Sequence, residues 1–442
     1  MRFDPTTVGI VATLLPIAVF SVRREIRRRH AARSHWEHSR AQGLDEPPSL
    51  HPVIRADLCV GCTSCVVACP EGDILKIVNG RAMLVEPARC VGHGRCKEAC
   101  PRDAIELVFG TARRGVQIPE VGGDYQTNVP GLYIAGELGG MGLIRNAVLQ
   151  GMQAVDHLAQ GLRSSPSSEI ADVAIIGAGP AGLAAALACR KKSLSYLLFD
   201  QEGLGGSVLH YPRRKLVMTA PVELPIIGRM HFREISKEEL LIFWTDVVRR
   251  AGLELRAPER VTGVQRAGTG FEIETDRGSY RAQRVVLAVG RRGTPRKLGV
   301  PGEDGSNVAY RMLEPERWAG ARTLVVGGGN SALEVAVALA EAEATVTLSY
   351  RGAAFNRVAP ANLARLEKAR GPRLEVVLES QVRRIEPDHV QLQTPAGMRK
   401  LEIEQVFVLA GGEPPTEFLT RIGVVMQWHH GQKPNASSGS PA

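Results

Sequence analysis

Beyond residue 100 the 442-residue chain has almost no cysteine. Seven of its eight cysteines lie between Cys59 and Cys100, and Cys189 is the only one elsewhere. A redox dithiol in the later part is therefore excluded, because thiol–disulfide exchange needs an attacking thiolate and a resolving partner. Net basic charge is also scarce outside one place. The formal net charge is +9, but Val22–Arg40 alone carries seven Arg against two Glu, a local +5. So localised an excess argues against a nucleic-acid face and for a membrane surface. No acid–base pair or activated nucleophile stands out, which points to chemistry carried by cofactors. With 44% hydrophobic residues the chain can hold two or three domains with real cores.

The N-terminus carries an apolar stretch, Val8–Val22, followed at once by the arginines. Its fifteen residues would span about 22 Å as a helix, short of the roughly 30 Å of a bilayer core. Phe3, Thr6, Thr7 and snorkelling arginines extend it, and Pro16 would kink it. A cleaved signal peptide has the opposite charge order. The expectation is an uncleaved single-pass anchor with the catalytic domains in the cytoplasm. A helix lying on the membrane is the alternative. His30 to Pro52 reads as a stalk.

What is present organises around Ala171–Gly182. The apolar run Val173–Ile176 ends in G-x-G-x-x-G at Gly177, Gly179 and Gly182, and an Ala/Leu-rich helix follows. A second apolar run, Tyr196–Phe199, then stops at Asp200. Strand, glycine turn, helix, strand and acid are the parts that bind a dinucleotide. The glycines admit the pyrophosphate to the helix N-terminus and the acid takes a ribose hydroxyl pair. A second such unit begins at Thr323, with G-x-G-x-x-A at Gly327, Gly329 and Ala332, and Ser331 in its turn. Its second strand, Thr345–Ser349, ends at Tyr350-Arg351 with Arg357 beyond, where a unit for NAD would present Asp or Glu. Arg351 and Arg357 suit a 2′-phosphate, so NADP(H) is favoured over NAD(H).

The cysteines form an internal repeat. Cys59-x2-Cys62-x2-Cys65-x3-Cys69-Pro70 is the complete iron–sulfur run. Cys90, His93, Cys96 and Cys100-Pro101 repeat its spacing with His93 in place of the second Cys. Zinc would need a different, paired spacing. Cys59, Cys62, Cys65 and Cys100 are expected to hold one cluster; Cys90, Cys96 and Cys69, with position 93, the other. At His93 three outcomes compete: a His-ligated four-iron cluster, a three-iron cluster, or a histidine that merely packs nearby. Cys189 reads as a buried small apolar side chain.

These runs, over about residues 53–110, resemble a bacterial two-cluster ferredoxin. The segment Thr127–Glu137, a turn and β-run ending in Gly136-Glu137, resembles the strand that in flavoproteins similar to thioredoxin reductase lies near the C-terminus. That resemblance implies that Glu137 binds the flavin ribityl chain and that the next helix, from Asn146, faces the isoalloxazine. It implies further flavin contacts at Gly206, in the Leu204–Ser207 loop, and at Gly290, which ends the strand begun at Arg284. Here the segment precedes the first glycine turn, so the flavoprotein looks circularly permuted. The C-x-x-C that thioredoxin reductases carry before the second glycine turn is missing from Asn307–Trp318. The resemblance is therefore closer to dithiol-free members, such as ferredoxin–NADP reductases of that type and bacillithiol-disulfide-reductase-like proteins.

The expected fold class is α/β: two Rossmann-type dinucleotide-binding domains, for FAD and NAD(P), a small α+β ferredoxin domain and an N-terminal membrane helix. Expected boundaries are a membrane anchor at 1–22, a basic stalk at 23–52 and a ferredoxin domain at 53–110. A relocated FAD-domain segment follows at 111–163, the FAD domain at 170–302 and the NAD(P) domain at 303–404. A return to the FAD domain at 405–430 and a disordered tail at 431–442 complete the chain. The expected activity is electron passage between NAD(P)H, FAD, two iron–sulfur clusters and a redox protein or quinone-linked acceptor. Partners otherwise are a membrane, no nucleic acid and a possible second copy. The alternatives are a non-catalytic redox sensor, or direct flavin reduction of a small thiol or organic substrate beside structural clusters.

Overall fold

The computed structural model describes residues 5–41, 45–47, 50–139, 143–162, 169–211, 216–219, 221–291, 294–356 and 358–432. The chain forms two compact units, Met1–Val116 with His430–Lys433, and Gln117–His429 with Pro434–Ala442.

In the first unit Leu50–Ile54 pairs antiparallel with Ile105–Phe109, and Leu75–Val78 forms a hairpin with Arg81–Leu84. Each cysteine run passes through a tight turn into a short helix, Ser64–Ala68 or Arg95–Glu98. The two turns share one backbone shape. Gly61 and Gly92 have φ of 67° and 77°, and Thr63 and Gly94 have 68° and 77°. Left-handed backbone is adopted readily by glycine and reluctantly by other residues. At Gly92 a side chain would also press on Leu50, whose carbonyl oxygen lies 2.8 Å from the position of a Cβ. His93 thus occupies the backbone position that Cys62 holds in the first run.

The expected membrane span at 1–22 is not found: no helix among the described residues is long and apolar enough to cross a membrane. Pro5–Ala41 is one helix that runs through Pro16 into the arginine-rich stretch. Its apolar part is too short for the hydrocarbon thickness, and the arginines that follow bring charge into the same helix. The basic segment is helical to Ala41 rather than a separate stalk, and strand Leu50–Ile54 begins before the expected boundary at 53. Nor is the start of the tail disordered, since Gly431 N–H donates to the Phe109 carbonyl (2.8 Å) and Phe109 N–H to that of Gln432 (2.9 Å). Residues 433–442 and the Ser164–Ser168 linker lie outside the described residues.

In the second unit strand Ala171–Ile176, which contains the apolar run Val173–Ile176, lies inside a six-stranded sheet. It runs parallel to Tyr196–Phe199 on one side and to Ser279–Leu287 on the other. Leu132–Ile134 joins this sheet, parallel to Val285–Leu287. Helix Ile144–Ala159 then packs along helix Pro180–Lys191, so closely that a Cβ at Gly151 would overlap the Ala181 carbonyl. Five parallel strands form the other large sheet, in the order Val308–Ala309, Gln405–Val408, Arg322–Val326, Thr345–Ser349, Leu374–Val377. The C-terminal part returns to the first sheet. Leu419 and Val424 are buried in the core that holds Leu132, Ile134 and Val285. Asn128 donates to the Gly423 carbonyl and accepts from Val425 N–H, both at 2.9 Å. The end of this return therefore lies against the start of the segment that reads as relocated.

Candidate cofactor sites

The first glycine turn is built by backbone proximity. Gly177 N–H donates to the Phe199 carbonyl (2.7 Å), which sets the turn at the tip of the two central strands. A Cβ at Gly182 would overlap the Gly177 carbonyl, and one at Gly206 would stand 3.0 Å from Gly179 Cα. Helix Pro180–Lys191 starts after Gly179 with no side-chain cap, so its first N–H groups remain available to an anion. Asp200 joins these parts. Its Oδ2 accepts Ala178 N–H (2.8 Å) and its Oδ1 accepts Glu202 and Gly203 N–H (2.9 Å each). A carboxylate has about four lone-pair sites, so capacity remains for a ribose hydroxyl.

Gly136 is held by its N–H donating to Gln150 Oε1 (2.8 Å), and a Cβ there would stand 3.0 Å from Ala181 Cβ. This brings the half-buried Glu137 beside the first glycine turn. Helix Ile144–Ala159, with Asn146 in its first turn, also begins without a side-chain cap. Gly290 follows strand Ser279–Leu287 with φ 67° and approaches Ser207 Oγ. The next residue, Arg291, was not singled out from the sequence. Burial pulls its guanidinium below the usual value, and the Glu137 carboxylate opposes that shift. Its position straight after the strand-ending glycine was the available signal. Gly136, Gly177, Gly179, Gly182 and Gly206 thus bring backbone close together around the start of helix Pro180–Lys191, an arrangement that fits a dinucleotide.

In the second turn Gly327 N–H donates to the Ser349 carbonyl (3.0 Å), and Gly329 caps helix Asn330–Glu341 without a side-chain bond. Ser331 and the buried Ala332 stand in the first helical turn. Arg351 is exposed just past strand Thr345–Ser349; Arg357 lies outside the described residues. Sequence reasoning missed the tie that fixes the approach to this loop. Asn330 Oδ1 accepts from Ala359 N–H (2.8 Å) and from Asn362 Nδ2 (3.0 Å).

In the first unit Cys59, Cys62, Cys65 and Cys100 line one open-sided cavity. Ala82 N–H donates to Cys59 Sγ (3.4 Å) and Ala104 N–H to Cys100 Sγ (3.3 Å). Among the described residues no three His, Cys, Asp or Glu side chains are close enough to hold a single metal ion. A lone zinc would need sulfurs about 3.8 Å apart, from its bond length and tetrahedral angle. Thiolates spread around an open cavity fit a multi-iron cluster instead. Cys90 and Cys96 are buried in the same core, with Cys69 packed against it. Burial pushes the Cys90 thiol up to about 11 and Cys96 up to about 12, each raised further by neighbouring sulfurs. Such thiols are inert as free nucleophiles, and iron would hold them deprotonated. Burial, helped by Arg95, lowers His93 to about 4. Its Nε2 lies 3.6 Å from Glu71 Oε1. The ring is neutral near pH 7, as a metal ligand must be.

Residues 174–438 match the family described as pyridine nucleotide-disulphide oxidoreductase, and residues 51–101 match the 4Fe-4S dicluster domain. The chain is 30% identical over 267 residues to a ferredoxin–NADP reductase of Ignicoccus hospitalis, covering 58% of this chain and 82% of that protein. It is 31% identical over 272 residues to one of Thermus thermophilus, covering 58% and 76%. The solved bacillithiol disulfide reductase Bdr (YpdA) from Bacillus cereus superposes with a TM-score of 0.52 at 28% identity, over 57% of this chain and 81% of that one. The chain is therefore an NAD(P)H-dependent oxidoreductase that belongs to the pyridine nucleotide-disulphide oxidoreductase family and carries a 4Fe-4S dicluster domain.

Proposed function

We propose that this protein passes electrons from NADPH through FAD and two iron–sulfur clusters to a one-electron acceptor, a redox protein or quinone-linked carrier. The observation that carries this reading is the state of Cys189. It is the only cysteine outside the cluster window, and it is fully buried in helix Pro180–Lys191 with its thiol pushed up to about 12 by burial. The family's disulfide chemistry has no thiolate here, which leaves the clusters as the electron outlet. Bound FAD would supply the exchange between two-electron hydride chemistry and single electrons, and bound clusters would supply one-electron carriers.

The chain's own groups bind and position. Gly177, Gly179, Gly182 and Gly206 shape the pyrophosphate turn of the FAD site, and Asp200 takes the ribose. Gly136, Glu137, Asn146 and Gly290 close that site around the flavin. Gly327, Gly329, Ser331 and Ala332 hold the nicotinamide nucleotide, with Arg351 and, by its place in the sequence, Arg357 supplying positive charge for its 2′-phosphate. One cluster belongs to Cys59, Cys62, Cys65 and Cys100; the other to Cys69, Cys90, Cys96 and His93. The contacts of Asn128 with Gly423 and Val425 support a circularly permuted flavoprotein, since an unpermuted chain would run directly from that return into Thr127–Glu137.

Anaerobic titration of the purified full chain with NADPH, beside NADH, tests the proposal. Flavin bleaching followed by cluster reduction, with turnover on a one-electron acceptor such as ferricyanide, is the expected result. Bleaching that leaves both clusters oxidised would overturn it.

A further inference from the structure

The two glycine turns can be aligned by their hydrogen bonds, and the alignment exposes one exchange. Gly177 N–H donates to the Phe199 carbonyl, and the next residue along that strand is Asp200. Gly327 N–H donates to the Ser349 carbonyl, and the next residue is Tyr350. Tyr350 therefore stands in the register of the ribose-binding acid, and Gly328 in that of Ala178, whose N–H bonds Asp200. The two differences belong together. A Cβ at Gly328 would overlap Cδ2, Cε2 and Cζ of Tyr350, so the phenol ring lies directly on the glycine backbone.

The ring is fixed from other directions too. A Cβ at Gly352 would stand 2.7 Å from Tyr350 Cε1. The Phe355 ring stacks on Tyr350 with centroids 5.4 Å apart and planes 15° from parallel. The backbone is held as well: Tyr350 N–H donates to the Val377 carbonyl and Ser380 N–H to the Tyr350 carbonyl, both at 3.0 Å.

This arrangement replaces an anionic acceptor by a neutral ring at the place where an adenosine ribose meets the turn. A carboxylate there bonds a 2′-hydroxyl and repels a 2′-phosphate. The ring does neither, and the exposed Arg351 directly after it supplies positive charge. We propose that Tyr350, seated on Gly328, determines the specificity of the second nucleotide site and selects a 2′-phosphorylated adenosine. The inference rests on the reading of this turn as the nicotinamide nucleotide site.

The test is equilibrium binding of two probes, 2′,5′-ADP and 5′-ADP, to the oxidised full-length holoprotein. The wild type is expected to bind 2′,5′-ADP at least about tenfold tighter. The double variant Gly328→Ala/Tyr350→Asp rebuilds the first turn, and its preference should fall by about 100-fold and invert, the scale of gaining a charge-assisted bond while placing like charges together. Tyr350→Asp alone only frees space, so it guards against misfolding and should show the same direction of change. Tyr350→Phe should keep the wild-type preference. Equal binding of the two probes by wild type, or an unchanged preference in both aspartate variants, overturns the role of Tyr350. Failure of the wild type to bind either probe, or NADPH itself, would instead overturn the nicotinamide reading.

Discussion

Replacing Asp200 by Asn separates what the carboxylate does for the fold from what it does for FAD. Its two oxygens accept three backbone N–H groups, from Ala178, Glu202 and Gly203. Asparagine keeps the shape but has one acceptor. If that oxygen stays on Glu202 and Gly203, the amide NH2 faces the Ala178 N–H, and one charge-assisted bond becomes a donor–donor contact. Hydrogen bonds to charged groups are worth about 1.5–3 kcal/mol. At about 1.4 kcal/mol per factor of ten, FAD affinity should fall roughly 10- to 100-fold. The loss comes from a loosened turn and from the missing partner for the ribose hydroxyl. Reconstitution of apoprotein with FAD, followed by flavin fluorescence, measures it. Thermal unfolding of the same apoprotein isolates the structural share, the lost Ala178 bond, which is of the same order as the lost bond to the ribose hydroxyl. An FAD affinity within twofold of wild type, with stability lowered, would refute the assignment of Asp200 to the ribose.

Gly151→Val should lower stability by about 1–3 kcal/mol through overpacking against the Ala181 carbonyl, read by denaturant unfolding, and should weaken FAD binding because the displaced helix carries Asn146. Glu202 is held below the usual carboxylate range by the Arg311 guanidinium, which it meets at 2.6 Å through both oxygens. Its contribution is therefore present above the unfolded-state value near 4.3 and is lost as pH falls through the depressed one; Glu202→Gln should lower the melting temperature at pH 7, and the difference from wild type should shrink steadily as pH falls below about 4.3. For His93, an anaerobic preparation reduced with dithionite should give an intact four-iron EPR signal from both clusters in wild type and in His93→Cys, with the second potential lower in the variant, because a charged thiolate replaces neutral imidazole; a three-iron signal in the oxidised wild type would exclude ligation.

How far the sequence was legible depends on how local each cause is. The glycine turns, the apolar runs before them and Asp200 are encoded within short windows, and each appears where its pattern put it. The repeat of the cysteine runs extends to the backbone, with Gly61 matching Gly92 and Thr63 matching Gly94 in left-handed conformation. The N-terminal helix differs from the expected short span because nothing at Val22 stops a helix, so the arginines extend Pro5–Ala41 instead of flanking it. Arg291 and Asn330 were invisible for another reason. Their importance arises from contacts across the fold, Arg291 beside Glu137 and Asn330 on Ala359 and Asn362, and no spacing rule joins those positions. Tyr350 lies between these cases. The absence of an acid was readable, but the glycine that makes room for the ring becomes meaningful only when the second turn is laid on the first. Gly328 in the sequence is an unremarked x of G-x-G; in the fold it is the surface on which the aromatic ring rests.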